Sequence, residues 1–354
     1  MSEFWNPDLN GLAPYTPGEQ PGGRRYIKLN TNEPPCPPSP LAVKYALAEL
    51  ERSNLYPPLD GGDLRAKLAE HYGITTEEVV VTNGSDEALN FLFKAFCSKD
   101  STAVFPDITY GFYSVFASLN GVPYEEKPLR GDFMIDPEDY IGVNKNIFIA
   151  NPNAPTGIAM PLRDIERIAE SNPRNIVVID EAYVDFGGET ALPLVRKYNN
   201  LVVVRTFSKS RALAGGRIGY AFACPEIIAD LYRIVYSTNP YNLSRASIAM
   251  ALGALEDEEY TRALCNCVRQ QRLIAAEALR RLGFTLTESA ANFLFAKPCG
   301  ISAKELYRRL KDDGILVRYF DKPRISDHLR ITVGSAEQMD VLINTVEKIL
   351  KGRC

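Results

Sequence analysis

From residue 79 onward, short β-branched runs alternate with amphipathic stretches, and that alternation sets the expected fold. Runs of strand length occur at Val79–Thr82, Thr102–Phe105, Pro123–Lys127, Asn146–Ala150, Ile176–Ile179, Leu201–Arg205 and Gly219–Ala223. Between most of them the apolar period lengthens to that of a helix, near 86–97, 110–120, 162–171 and 190–198. Strands separated by helices point to a largely parallel sheet covered on both faces, the α/β arrangement in which ligands gather at the carboxyl ends of the strands.

The flanks read differently. Prolines at 14, 17, 21, 34, 35, 37, 38 and 40 predict an extended, mostly irregular arm. A helical pattern then runs from Leu41 to Leu50, is broken by Tyr56–Gly62, and resumes over Asp63–Tyr72. Beyond Asn239-Pro240, Ser244–Leu255 and Asp257–Leu282 read as helices, the second capped by Asp257 and stopped by Gly283. Strands at Asn292–Lys297, Ile315–Tyr319 and Leu329–Val333, with helices at Ser302–Asp313 and Ala336–Lys351, make a small α+β unit. The expected division is an arm over 1–40 that packs with the smaller domain and a dimer partner, a large domain over 41–243, and a small one over 244–354.

At 354 residues the chain is long for one core, in keeping with two units. A net charge of -4 and the lack of any basic stripe argue against nucleic-acid partners. No apolar run approaches the ~20 residues of a membrane span and the first residues lack a signal-peptide pattern, so a cytoplasmic protein is expected. The seven cysteines (36, 97, 224, 265, 267, 299, 354) are scattered and read as reduced thiols; Cys265 and Cys267 do not share a helix face. With His71 and His328 as the only histidines, a metal site or a Ser-His-Asp triad has little to work with.

The candidate chemistry starts at Lys209. It ends Thr206-Phe207-Ser208-Lys209 after a buried strand and leads into the run Ala214-Gly215-Gly216-Arg217-Ile218-Gly219, where backbone can approach a ligand closely. A solvated loop lysine is the plainer reading of that residue alone, but its neighbours match what an aldehyde cofactor with a phosphate and a pyridine ring requires of a lysine site. Thr82-Asn83-Gly84-Ser85-Asp86 joins a strand to a helix start, which suits an anion cradle and a helix cap equally well. Thr206, Ser208 and Arg217 favour the cradle, since a guanidinium grips phosphate with two parallel bonds. Asp180 ends the strand Ile176–Ile179, where a buried carboxylate needs a partner such as a protonated ring nitrogen. Tyr183 offers a donor for a phenolate oxygen and Tyr110 a ring to stack, although packing also explains such an aromatic. The rigid turn Asn151-Pro152-Asn153-Ala154-Pro155-Thr156-Gly157 follows another strand end.

Together these residues resemble the fold-type-I pyridoxal-phosphate enzymes, the aspartate-aminotransferase-like superfamily, over essentially the whole chain. The resemblance implies a large domain with a mostly parallel sheet, a smaller α+β domain, and pyridoxal 5'-phosphate as cofactor. It implies that Lys209 holds that cofactor covalently, Asp180 pairs its ring nitrogen, Tyr183 meets its phenolate oxygen and Tyr110 stacks on the ring. Ser85, Asp86, Thr206, Ser208 and Arg217 would surround the phosphate, and Tyr56, in Leu55-Tyr56-Pro57, looks like the tyrosine lent to a neighbouring subunit of a homodimer. Many relatives carry asparagine directly before Pro-Thr-Gly, where this chain has Ala154, leaving Asn153 or Asn151 to replace that contact.

Within the superfamily the motifs Leu12–Gly18 and Lys28–Pro34, with Arg318 and Arg330, resemble the branch acting on histidinol phosphate. That resemblance implies transamination between histidinol phosphate and 2-oxoglutarate or glutamate in histidine biosynthesis. Arg330 would take the carboxylate of the amino-acid partner, Arg318 and Tyr15 would help hold the phosphate of histidinol phosphate, and Asn32 would also bind substrate. A threonine-phosphate decarboxylase on the same scaffold and an aromatic or broad amino-acid aminotransferase are the rivals. A regulator sensing the cofactor would need a DNA-binding module, and no basic helix-turn-helix segment precedes Pro14.

Overall fold

The computed structural model describes residues 2–20, 22–23 and 25–352; Pro21 of the arm and Cys354 lie outside the described residues. In chain order the elements are β1 (Ile27–Leu29), α1 (Pro40–Leu50), α2 (Asp63–Tyr72), β2 (Val79–Thr82), α3 (Ser85–Phe96), β3 (Ala103–Pro106), α4 (Phe112–Leu119), β4 (Tyr124–Lys127), β5 (Asn146–Ala150), α5 (Leu162–Ser171), β6 (Val177–Asp180), β7 (Leu201–Thr206) and β8 (Gly219–Phe222). They continue as α6 (Pro225–Thr238), α7 (Arg245–Glu256), α8 (Glu258–Arg281), β9 (Thr285–Leu286), β10 (Phe293–Lys297), α9 (Ala303–Asp312), β11 (Ile315–Tyr319), β12 (Leu329–Thr332) and α10 (Ala336–Lys351).

Seven strands form one sheet in the order β2-β8-β7-β6-β5-β3-β4. From β4 to β7 every pair is parallel, and β8 runs antiparallel to both its neighbours. Residues of alternate parity enter different cores: Val81, Ile149, Ile179 and Val203 on one face, Val80, Phe148, Val178 and Val204 on the other. Burial on both faces is why these strands read as continuous apolar runs. Register sets Ala150 beside Asp180 and Asp180 beside Val204, while Thr206 and Thr82 both pair with Gly219. The residues that follow β2, β3, β5, β6 and β7 therefore emerge along one edge.

The second sheet runs β1-β11-β12-β10-β9, with the arm strand β1 parallel to β11. Its core draws Leu279 from α8, Leu306 and Leu310 from α9, and Leu342 and Val346 from α10. Helix α7 behaves differently, burying Ile248, Ala251, Ala254 and Leu255 in the core of the large sheet against α1 and α2. No helix among the described residues is long and apolar enough to cross a membrane.

Several local expectations need correction. The stretch 190–198 holds a single 3-10 turn, Leu192–Leu194, rather than a helix. Pro193 donates no hydrogen bond and the Ala191 N–H is committed to Glu181, so the turn does not propagate. Helix α4 begins at Phe112, leaving Tyr110 in the loop before it. Helix α6 was unforeseen, although Pro225 at its first turn and buried Ile227, Ile228, Leu231, Tyr232 and Val235 form an amphipathic pattern. Strands β1 and β9 are too short for periodicity to reveal, and tertiary pairing creates them.

The α1–α7 contact rests on Gly253, where a Cβ would stand 2.7 Å from Ala42 Cα and 2.7 Å from the Leu41 carbonyl oxygen. Glycine to alanine within a helix ordinarily stabilises by about 1 kcal/mol. Here the opposite sign is expected: Gly253→Ala should cost about 1–3 kcal/mol through overpacking. A thermal midpoint several degrees below wild type would register it, while Gly131→Ala, with nothing within 4 Å, serves as the unaffected control.

Candidate active site

A cavity of about 330 Å³ opens at the common strand edge and is lined by Ser85, Asp86, Tyr110, Asp180, Tyr183, Thr206, Ser208, Lys209 and Arg217, with Thr31 and Glu33 from the arm. Most of the residues marked by the sequence thus meet in one place, brought there by five different strand ends.

Lys209 Nζ faces the Thr31 carbonyl oxygen at 3.5 Å and lies 5.9 Å from the centre of the Tyr183 ring. Burial, and then the Arg330 and Arg217 cations, push its ammonium down to about 8, with Asp86 and Glu33 opposing. Asp180 is buried and accepts from Tyr113 Oη and from the Ala182 N–H, both at 3.2 Å. Those bonds favour its charged form, yet burial outweighs them and pushes it up to about 7. No ion pair to Asp180 occurs among the described residues, so a cation is the partner this carboxylate lacks. Tyr113 is a site residue that sequence reading missed, though its helical spacing from Tyr110 was visible.

At the helix start the cap is Gly84, at φ 77°, which makes no side-chain capping bond. Ser85 and Asp86 therefore do not cap α3, and its first amides are free to meet an anion. Gly84 and Gly219 permit this geometry: a Cβ on Gly84 would meet Arg217 Nη2 at 2.5 Å, and one on Gly219 would meet Gly84 C and Ser85 N at 2.3 Å. Arg217 donates to Asp86 Oδ2 at 3.3 Å, and Tyr110 Oη donates to Asp86 Oδ1 at 2.7 Å. Thr206 and Ser208 hydroxyls lie 2.9 Å apart beside them.

Asn153 is buried against the loop that follows β3, donating to the Ile108 carbonyl at 2.9 Å and accepting from Thr109 Oγ1 at 2.7 Å, while Asn151 pairs with Met160. Neither side chain lines the cavity; Ala154 does. An amide does reach Tyr183 from elsewhere, since Asn32 Nδ2 donates to Tyr183 Oη at 2.9 Å. Thr332 hydrogen-bonds Asn32 in turn, at φ 56° for that residue.

A second cavity, continuous with the first through Tyr110 and Ala154, contains Tyr15, Arg318, Phe320 and Arg330. Tyr15 stacks on Phe112 at 4.2 Å. Arg330 donates to the Asn30 carbonyl at 2.9 Å, but its buried Nε–H has no partner among the described residues. Arg318 gives both terminal nitrogens to the Thr16 and Pro17 carbonyls at 2.7 Å, bracing the arm. Tyr56 lies outside both cavities, 75% exposed and stacked on Tyr241.

Two titrations follow for the ligand-free protein. Labelling of Lys209 by an amine reagent, followed by peptide mass spectrometry, should rise with an apparent pKa of about 8, because the lowered value leaves the amine neutral above it. A midpoint near that of an ordinary lysine would contradict the burial argument. Asp180 has the opposite sign: its folded value exceeds the unfolded one, so stability falls as pH rises toward about 7. Asp180→Asn should therefore gain in thermal midpoint over wild type at pH ~8 relative to pH ~5.

The sequence of residues 24–346 matches the family model described as aminotransferase class I and II. Among curated relatives, the histidinol-phosphate aminotransferase of Pseudomonas putida is 46% identical over 347 residues, covering 98% of this chain and 100% of that protein. That of Acinetobacter baylyi is 47% identical over 348 residues, covering 97% and 96%. The crystal structure of the Sinorhizobium meliloti histidinol-phosphate aminotransferase, in complex with pyridoxal-5'-phosphate, superposes with a TM-score of 0.91 over 100% of this chain and 99% of that one. At 23% identity that likeness speaks to the fold. On family match and full-length identity together, this chain belongs to the class I and II aminotransferases.

Proposed function

We propose that the chain is a pyridoxal-5'-phosphate-dependent aminotransferase moving the amino group from L-histidinol phosphate to 2-oxoglutarate, with imidazole acetol phosphate and L-glutamate as products, in histidine biosynthesis. The observation that carries the reading is Asp180, a buried carboxylate with no cation, in one cavity with Lys209 and an uncapped helix start. The full-length likeness to curated histidinol-phosphate aminotransferases supports the substrate.

The residues present fit the cofactor. Its phosphate would meet the first amides of α3, the hydroxyls of Ser85, Thr206 and Ser208, and Arg217; its ring nitrogen would supply Asp180 with the missing cation; Tyr183 Oη would face its phenolate oxygen and Tyr110 its ring. Asp86 would act there through Arg217 and Tyr110, which it already holds. What pyridoxal phosphate supplies when bound is an electron sink for the substrate's α-carbon. Lys209 Nζ, neutral in mildly alkaline solution, would hold the cofactor at its aldehyde carbon and, once displaced by the substrate's amine, would take the proton from the substrate's α-carbon and pass it to that aldehyde carbon. Arg330, with its unpartnered Nε–H, is the cation for the carboxylate of glutamate. Arg318 serves the phosphate of the other substrate, and because it also holds Thr16 and Pro17, substrate and arm would order together, with Tyr15 and Asn32 at their side.

The working unit we propose is a cytoplasmic homodimer, its chain divided into the arm over 1–40, a larger unit from 41 and a smaller one after it, with α7 counted to the larger. Exposed Val43, Leu47, Leu50, Leu55 and Leu59 beside Tyr56 support a partner on that face, which would bring Tyr56 to the other subunit's phosphate site.

Arg318→Ala should raise the KM for histidinol phosphate roughly ten- to two-hundred-fold, the loss of about 1.5–3 kcal/mol for one charge-assisted contact, and that for glutamate far less. Arg330→Ala should injure the glutamate half-reaction at least as much. Each half-reaction read separately by cofactor absorbance decides it; equal damage to both substrates from Arg318→Ala would return the protein to a general aminotransferase.

A further inference from the structure

Behind the cavity wall lies a charged chain, buried at Arg205 and Glu181 and part-exposed at Asp185, that the chemistry above does not use. Arg205 on β7, its side chain 8% exposed, donates to Glu181 Oε2 through Nη2 at 2.8 Å and Nε at 2.9 Å. Its Nη1 reaches Asp185 Oδ1 at 3.4 Å and Tyr72 Oη at 3.2 Å. The second oxygen of Asp185 accepts from Ser210 Oγ at 2.5 Å, and the Glu181 carboxylate also accepts from Thr190 Oγ1 at 2.8 Å and the Ala191 N–H at 2.5 Å. Glu181 follows Asp180 in the chain and Ser210 follows Lys209, so one guanidinium is tied to the neighbours of both groups.

The sheet alone does not fix that relation. Pairing of β6 with β7 ends at Asp180–Val204, and the chain has left β7 by Phe207, before it reaches Lys209. We infer that Arg205 is a positioning residue, setting the Lys209 amine relative to the Asp180 carboxylate by clamping the segments after β6 and β7 through Glu181 and through Asp185–Ser210. A guanidinium spans two carboxylates in a fixed fork; a lysine in its place can serve one. The inference rests on the roles proposed above for Lys209 and Asp180, but the link itself is measurable without them.

The test compares wild type with Ser210→Ala, Arg205→Lys, the double variant and Ser210→Thr. In the cofactor-free proteins the pH profile of Lys209 labelling reads the environment made by Arg330, Arg217, Asp86, Glu33, the Thr31 carbonyl and the Tyr183 ring. Ser210→Ala and Arg205→Lys should both move its midpoint upward from about 8, as the loosened loop lets water reach Nζ. In the loaded enzymes kcat should fall roughly tenfold in each single variant, by misplacement, with KM for both substrates little changed. Because Arg205→Lys also cuts the Asp185–Ser210 path that Ser210→Ala cuts, the double variant should lose no more than the worse single one, and Ser210→Thr, which keeps the hydroxyl, should recover both readouts. Additive losses, a wild-type labelling profile and kcat in Ser210→Ala, or a loss that tracks the thermal midpoint and is not rescued by Ser210→Thr would overturn the inference. A wild type that labels as expected yet transaminates nothing would instead indict the functional reading, leaving the clamp to be judged on labelling alone.

Discussion

Burial of a carboxylate and an amine in one cavity is the constraint on which the rest of this structure depends. Asp180 and Lys209 are both held where water is scarce, and desolvation drives each toward its neutral form, one up to about 7 and the other down to about 8. Neither is relieved by an ion pair with the other. A lysine kept close to proton exchange at ordinary pH is suited to nucleophilic and general-base chemistry, a buried carboxylate without a partner is suited to hold a cation, and burial keeps both in that condition.

Everything around that cavity serves to deliver polar groups to it without delivering water. Parallel strands buried on both faces end in register, so five loops converge from one edge. The antiparallel β8 passes so close to the start of α3 that Gly219 has no room for a side chain, and a Cβ on Gly84 would strike Arg217, so helix amides and Arg217 face the same space. The arm closes the cavity from the other side, with β1 joined to β11, Thr31 and Glu33 in the wall, and Asn32 bonded to Tyr183. Arg318 and Arg330 are cross-strand neighbours on β11 and β12, which explains how two cations share one cavity. Arg330 is kept available by an incomplete set of hydrogen bonds, whereas Arg318 is already engaged with the arm.

The sequence by itself determined a good deal. Continuous apolar strands alternating with helical periods specify a covered, mostly parallel sheet, because burial on two faces demands such runs. Lys209, Asp180, Tyr183 and Ser85 were legible because each ends a strand, lies within three residues of a strand end or opens a helix, and Arg217 because it lies in the glycine-rich run beyond Lys209. Other features had no local signal. Whether Ser85 caps α3 or faces a ligand depends on Gly84 taking the cap, and that depends on the closeness of β8. The partners of Asn153 had no local signal either, since Ile108 and Thr109 come from another loop, and neither did the bond from Asn32 of the arm to Tyr183. Helix α7 follows the same change of texture as α8 after Asn239-Pro240 but packs on α1, where Gly253 lets the backbones approach. The line between the two kinds of knowledge is physical: periodicity and strand ends record which face of an element is buried, whereas hydrogen-bond partners and close backbone contacts belong to pairs of segments distant in the chain, and only the folded arrangement decides them.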